Sequence, residues 1–464
     1  MNNSKKQKPL GNPLGYAPVG ELLLKFAIPS IISMVVNALY NIVDQIFIGQ
    51  GVGILGNAAT NVAFPITTVT TAIGLLLGIG GASNFNLFLG AKEQEDAKKV
   101  AGTAFGSLLF MGIFLCIGIR LFLTPIVTAC GATDLTMSYS MDYVSITSYG
   151  IPFFMLTIGG NHLIRSDGSP TYSMVANLSG ALINTVLDPL FIFGFGMGIK
   201  GAALATIIGQ IFSACLVLWY LPRYKTVSFR LKDFLPQKMY LLKIVSLGAA
   251  SCFNQLAITI VQIVMNNTLK HYGSSSIYGS EIPLAVVGIV AKINMLFLAV
   301  VIGISQGSQP IIGFNYGARN YHRVRQTYLR AAGAATVIAV GAFICFQIFP
   351  HQIISLFGKG DKLYYQFAEE YFRIFMFCTF FNGLQPVTAN FFTSIGKAKR
   401  GIWLSMTRQI LFLIPLILIF PIFMGIDGVM YAGPIADGAA GILAIILVFI
   451  ELKKMPKKPE TAAS

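Results

Sequence analysis

The chain has 464 residues, 55% hydrophobic and 11% charged, with mean hydropathy +0.70. A soluble globular chain carries about 25% charged residues, so this composition excludes an ordinary soluble domain and points to a bilayer as solvent. The formal net charge of +15 would suit a nucleic-acid partner, but its placement along the chain excludes that reading as well.

The segment 1–21, opening MNNSKKQKPLGNPLG, is basic and polar with no apolar core, so the first apolar run is expected to act as the insertion signal. Twelve runs of about 20 residues or more follow, each able to cross a hydrocarbon core as a helix. They cover roughly 22–49, 57–88, 100–124, 139–163, 172–196, 201–221, 240–268, 283–313, 326–349, 366–393, 402–423 and 429–451. The six cysteines stand singly, most of them inside these runs, and read as small packing residues.

With the N-terminus placed in the cytoplasm and sides alternating, 26 of the 33 basic residues fall at inner ends and loops and 4 at outer loops. Arg408, at the start of span 11, is counted with the inner group, and Arg120, Lys292 and Arg373 fall inside spans. This asymmetry is the positive-inside rule, and it predicts two cytoplasmic termini on a multi-pass cell-membrane protein. The basic excess is topology. Nucleic acid is not expected as a partner.

Span 1 carries Ser30, Ser33, Asn37, Asn41 and Asp44 three or four residues apart, hence on one face. Span 5 repeats the idea with Asn177, Asn184 and Asp188, and Pro189 frees a backbone carbonyl in the turn before it. Span 6 offers Ala202, Thr206 and Gln210 at four-residue spacing. Counted from the inner surface for Asp44 and Asp188 and from the outer surface for Thr206, the three reach one depth in the outer half of the membrane. Intramembrane acids usually face a cavity and serve ion pathways. Two carboxylates sharing a low-dielectric site cannot both stay ionised cheaply, so the pair should take a proton or hold a cation. Oxygen-only ligands suit a hard cation such as sodium. Asn41 reads as support for that site, and Asn37, Asn177 and Gln210 as lining for a substrate cleft.

A polar stretch at 222–239 divides the spans into six and six and reads as an interfacial linker on the inner surface. The halves repeat each other. LLLK at 22–25 returns as YLLK at 240–243, GIGGAS with GAK (78–92) as GISQGS with GAR (303–319), and RSDG with GIKG (165–201) as TSIG with GIDG (393–428). Paired motifs fall on the same membrane side, so these are parallel repeats. Such symmetry is common in transporters, where cargo sits between two rocking lobes, although duplication also builds scaffolds and channels. The expected fold is an all-α integral membrane protein, twelve transmembrane helices in two pseudo-symmetric six-helix lobes. The lobes would span 22–221 and 240–451, with a cytoplasmic tail at 452–464.

At the repeat offset of 218, Asn37 becomes Gln255 and Asp44 becomes Gln262, so the second half drops the acid. Its buried charges are expected to be Lys292, Arg373 and Asp437. They allow either a structural salt bridge among themselves or a second ion site or anion contact.

Asp44 in VDQIFIG, the segment LDPLFIFG and the six-plus-six repeat resemble the MATE (multidrug and toxic compound extrusion) transporters over residues of about 20–452. The DinF-like and MepA-like bacterial subgroup is the most similar. The resemblance implies a cation site at Asp44, Asn184, Asp188 and Thr206, with the Ala202 carbonyl completing it and Tyr143 as a hydrogen-bonding neighbour. It also implies that Asn161 faces the substrate cleft with Asn37, and that Pro29 bends helix 1. No acidic ligand is evident on spans 7 or 10, unlike the NorM-like subgroup.

The resemblance implies a secondary antiporter working as a monomer. It would export amphipathic, often cationic organic molecules in exchange for protons and/or sodium, with no cofactor. A lipid-linked oligosaccharide flippase of the same superfamily is the alternative, and Lys292 and Arg373 are the residues that favour it. Four isolated histidines and no nucleophile motif leave nothing from which to assemble an enzyme.

Overall fold

The structure is a computed structural model that describes residues 12–356 and 361–456. The positions of Lys5, Lys6, Lys8, Lys359 and the tail from 457 onward therefore lie outside the described residues. The twelve expected spans are all helical. We label them α1 (Val19–Gly51), α2 (Ile54–Gly90), α3 (Gln94–Leu121), α4 (Asp134–Ser166), α5 (Pro170–Gly194) and α6 (Gly198–Tyr220). The second half holds α7 (Lys238–Ser274), α8 (Glu281–Gly317), α9 (Tyr321–Ile348), α10 (Lys362–Ser394), α11 (Ala398–Met424) and α12 (Asp427–Lys454).

Among the described residues, ten of these are unbroken enough to cross a membrane by length and composition. The other two are interrupted. Helix α4 changes to a tighter turn at Ser148–Gly150, just before Pro152, and α10 is cut into three pieces by turns near Cys378 and Gly383. Composition could not separate these from continuous spans, because the breaks lie inside apolar sequence.

Two apolar clusters organise the packing. One joins α2, α3, α4 and α6 with the start of α7, and the other joins α8 to α12 with part of α7. The second cluster also contains Leu22, Leu23, Phe26 and Ala27 from the beginning of α1. The far end of α1 packs elsewhere, with Ile48 against Ile192, Ile199 and Ala202 of α5 and α6. Helix α1 therefore bridges the two bundles along its own length.

The bundles meet tightly in the half of the molecule that holds the first described residues and the end of α12, here called the terminal face. A Cβ on Gly303 of α8 would lie 2.5 Å from the Ile31 Cα of α1, and one on Gly248 of α7 would lie 1.8 Å from the Leu76 carbonyl oxygen of α2. Only glycine permits backbones this close. Polar contacts cross the same seam: Arg165 of α4 donates to Gln306 Oε1 at 2.8 Å, and Gln309 Nε2 donates to Ser83 at 2.8 Å. Toward the opposite face the same helix sides become accessible, with Gln262 and Asn266 of α7 and Lys292 of α8 exposed.

The polar stretch after α6 folds back onto α3. The carbonyl oxygens of Asp233 and Phe234 sit where side chains would be at Gly102 and Gly106, and Tyr224 and Phe229 pack on Phe105. Its anchor is Asp167 in the α4–α5 loop, which accepts from the Tyr220 hydroxyl, the Lys225 and Thr226 N–H groups and the Thr226 hydroxyl. Burial pushes the Asp167 carboxyl above its ordinary range, and the four donors pull it back in part. The second bundle has a counterpart: Glu451 of α12, 2% exposed, pairs with Lys397 and Arg400 at the α10–α11 loop.

Because the α2–α7 seam has no room for a methyl group, Gly248→Ala is expected to cost about 1–3 kcal/mol through overpacking. Gly118→Ala, on α3 with open space around it, should be neutral or slightly stabilising. Thermal unfolding of the purified protein in detergent compares them; equal midpoints for the two variants would mean that the seam is not tightly packed.

Candidate functional site

The candidate site lies where α1, α5 and α6 converge, away from the terminal face. Asp44 stands two turns before the end of α1 and Asp188 stands at the point where α5 changes pitch. Pro189 has no N–H to give to the turn before it, and the five residues Leu190–Gly194 continue with the wider spacing of a π-turn, Phe195 N–H reaching the Leu190 carbonyl at 2.9 Å. Asp188 stands just before this irregular stretch.

The two carboxyl groups face each other within hydrogen-bonding reach. Asp188 is fully buried and Asp44 is 9% exposed. Asn184, one turn before Asp188, donates from Nδ2 to Asp188 Oδ1 and to Thr206 Oγ1, both at 3.3 Å. Thr206 in turn donates to the Ala202 carbonyl at 3.0 Å. Asp44 Oδ1, Asp188 Oδ2 and Asn184 Oδ1 are buried with no donor. Three orphaned acceptor oxygens in one place could accept a positive particle, whether a proton shared between carboxyls or a small hard cation. Among the described residues no cluster of three or more His, Cys, Asp or Glu could hold a metal. The oxygens here come from two acids and an amide, the set that sequence spacing brought to one depth.

Two tyrosines flank the acids. Tyr143 of α4 and Tyr40 of α1 both lie near Thr206 and within electrostatic range of Asp44 and Asp188. Tyr143 was expected. Tyr40 was not, although it stands four residues before Asp44 and so one turn below it on the same face; its ring made it read as apolar filler.

The other expected residues are placed as follows. Asn41 is exposed, and its amide donates to the Asn37 carbonyl at 2.7 Å, so it does not join the acid pair. Asn37 is half-buried, and Asn177 of α5 reaches the Ser33 carbonyl of α1 at 3.5 Å. Asn161 is buried within α4 with an unpartnered Oδ1. The Gln210 Oε1 is buried against Gly150, at the break in α4. Pro29 is buried in the stretch of α1 that meets Gly303, and α1 stays helical through it.

The second-half charges require correction. Lys292 and Arg373 are exposed. Arg373 shares the outer stripe of α10 with Gln366 and Glu370, while Phe367, Ala368, Tyr371 and Phe372 fill the buried stripe. Lys292 lies on the side of α8 opposite Val290 and Phe297, which face the core. Asp437 is buried as expected, but its partner is Arg408, whose Nε donates to Oδ1 at 2.5 Å. Arg408, counted with the inner loops, instead sits in the wide turn Thr407–Leu413 inside α11 and is 8% exposed.

A family model described as MatE matches residues 29–190 and 250–419. The multidrug export protein MepA of Staphylococcus aureus is 24% identical over 435 residues, covering 94% of each chain. MepA of Staphylococcus haemolyticus is 26% identical over 432 residues, covering 92% of each. A crystal structure of MATE in complex with MaL6 superimposes with TM-score 0.90 at 24% identity, covering 97% of this chain and all of that one.

The buried Arg408–Asp437 pair makes the two partners mutually dependent. Asp437→Asn leaves a buried guanidinium without its counter-charge and should destabilise the protein by about 3–5 kcal/mol, whereas Asp437→Leu combined with Arg408→Met should cost far less. The comparison is read from thermal unfolding of the two purified variants. A single variant as stable as the double one would show that the pair is not coupled.

Proposed function

The chain belongs to the MatE family, membrane transporters rather than enzymes, and on that premise we propose that it is an ion-coupled multidrug exporter. It exports amphipathic, often cationic, organic molecules in exchange for protons and/or sodium bound at Asp44 and Asp188. The observation that carries this reading is the facing pair of carboxyls with three buried, donorless oxygens. The relatives named MepA are multidrug export proteins, which supports the cargo class.

The coupling follows from electrostatics. An ion between Asp44 and Asp188 removes the repulsion between the two carboxylates and ties α1 to α5. An empty, doubly charged pair pushes them apart. Because the first half of α1 packs in the second bundle's core and its end packs at the ion site, moving α1 at one end loads the seam at the other. Each occupant then needs only a differential affinity for the two arrangements to drive alternating access.

The available energy is adequate. One charge crossing 100 mV yields about 2.3 kcal/mol, so roughly 150 mV supports a gradient of a few hundredfold for neutral cargo. A monovalent cation exchanged for one proton moves no net charge and would run on the pH difference alone. Both termini are placed in the cytoplasm on this reading, the functional unit is one chain, and the tight seam is the cytoplasmic seal.

A second reading, lipid-linked oligosaccharide translocation, is favoured by one observation, Lys292 on an accessible helix side with no ion partner among the described residues.

The test uses purified protein in vesicles with pH and sodium gradients imposed separately. Asp44→Asn and Asp188→Asn should each bring gradient-driven export to background, with expression and folding confirmed. Export at the wild-type rate by the double variant would remove the pair from the mechanism, and movement of lipid-linked sugar without drug export would favour the second reading.

A further inference from the structure

Lys292, within α8, is accessible and unused by the proposed mechanism. It makes no hydrogen bond or ion pair among the described residues. Its direction follows from helix geometry. Lys292 precedes Gly303 by eleven residues, which is about 20° of rotation and roughly 16 Å of rise. Gly303 is the point at which α8 touches Ile31 of α1, so Lys292 continues the same side of α8 toward the opposite face. The two helices run antiparallel, and eleven residues beyond Ile31 comes Ile42, between Tyr40 and Asp44. Lys292 thus faces the gap between the bundles at the level of the acid pair.

That side of α8 is not a lipid face. Its exposed residues are Ala285, Gly288, Lys292 and Met295, with Glu281 about 16 Å further out at the mouth. A surface that does face hydrocarbon, as on α12, exposes Ile442, Ile446, Phe449 and Ile450. An ammonium at this depth belongs in a water-filled gap. On α7, the side that meets α2 at Gly248 carries Gln262 and Asn266, exposed and uncharged. The gap is therefore polar, and Lys292 is its charged anchor.

We propose that Lys292 holds an anionic group of the cargo, so that the protein prefers zwitterionic amphiphiles, which carry a carboxylate beside their amine, over plain cations. This deepens the exporter reading and rests on it. A bare cation entering the gap is repelled by the Lys292 charge, which has no ion partner among the described residues, whereas a carboxylate gains a charge-assisted hydrogen bond there.

Rhodamine B, a zwitterion, and its ethyl ester, a cation, differ in whether that carboxylate is free. Export of both is measured in vesicles of neutral phospholipid, so that no lipid headgroup competes for the site. Wild-type protein should show a lower KM for rhodamine B than for the ester. Lys292→Gln should shift the ratio of the two KM values about tenfold against rhodamine B, and Lys292→Arg should keep the wild-type ratio. An unchanged ratio in Lys292→Gln overturns the inference. Gradient-driven export of the ester alone by the wild type would overturn it too and leave the exporter reading standing, whereas export of neither dye would overturn both.

Discussion

Everything distinctive in this molecule follows from two carboxyl groups held face to face inside a bundle that, among the described residues, gives them no cationic partner. Asp44 and Asp188 are buried, and the polar groups around them are an amide, a threonine and two tyrosines. None of these can neutralise two negative charges. The low dielectric around them makes the doubly ionised state costly and gives a proton or a small cation a reason to bind. The backbone next to Asp188 is irregular, with Pro189 and the wide turn after it.

The treatment of the other charges sets this pair apart. Asp437 has Arg408, Glu451 has Lys397 and Arg400, and Asp167 has four donors. Those acids are compensated within the protein and do structural work, fastening loops and helix ends in both bundles. Asp44 and Asp188 are left with open oxygens instead. The contrast within one chain argues for function at the uncompensated pair more strongly than burial alone would.

Helix α1 connects that pair to the seam between the bundles. Its beginning belongs to the core of the second bundle and its end to the first, with glycine-mediated contact to α8 between them. Small residues at the seam let helices approach until backbone touches backbone, and such a contact has little room for intermediate positions. A helix shared by two rigid bodies is where an ion-dependent preference for one arrangement over another would be felt.

Much of this was legible in the chain itself. Hydropathy placed twelve spans within a few residues of their ends, internal repetition paired the halves, and spacing of three or four along spans 1, 5 and 6 put Asp44, Asn184, Asp188 and Thr206 at one depth. These are properties of position along a helix axis, which residue counting measures directly. What tertiary structure decided was rotation and neighbours. Each residue turns a helix by about 100°, so an apolar run says how deep Lys292, Arg373 and Arg408 lie but not which way they point. Packing left the first two exposed, gave Arg408 to Asp437, and brought Tyr40 beside the acids while leaving Asn41 exposed. A charge inside a span is visible in sequence, but its partner comes from another helix, and only the folded chain brings the two together.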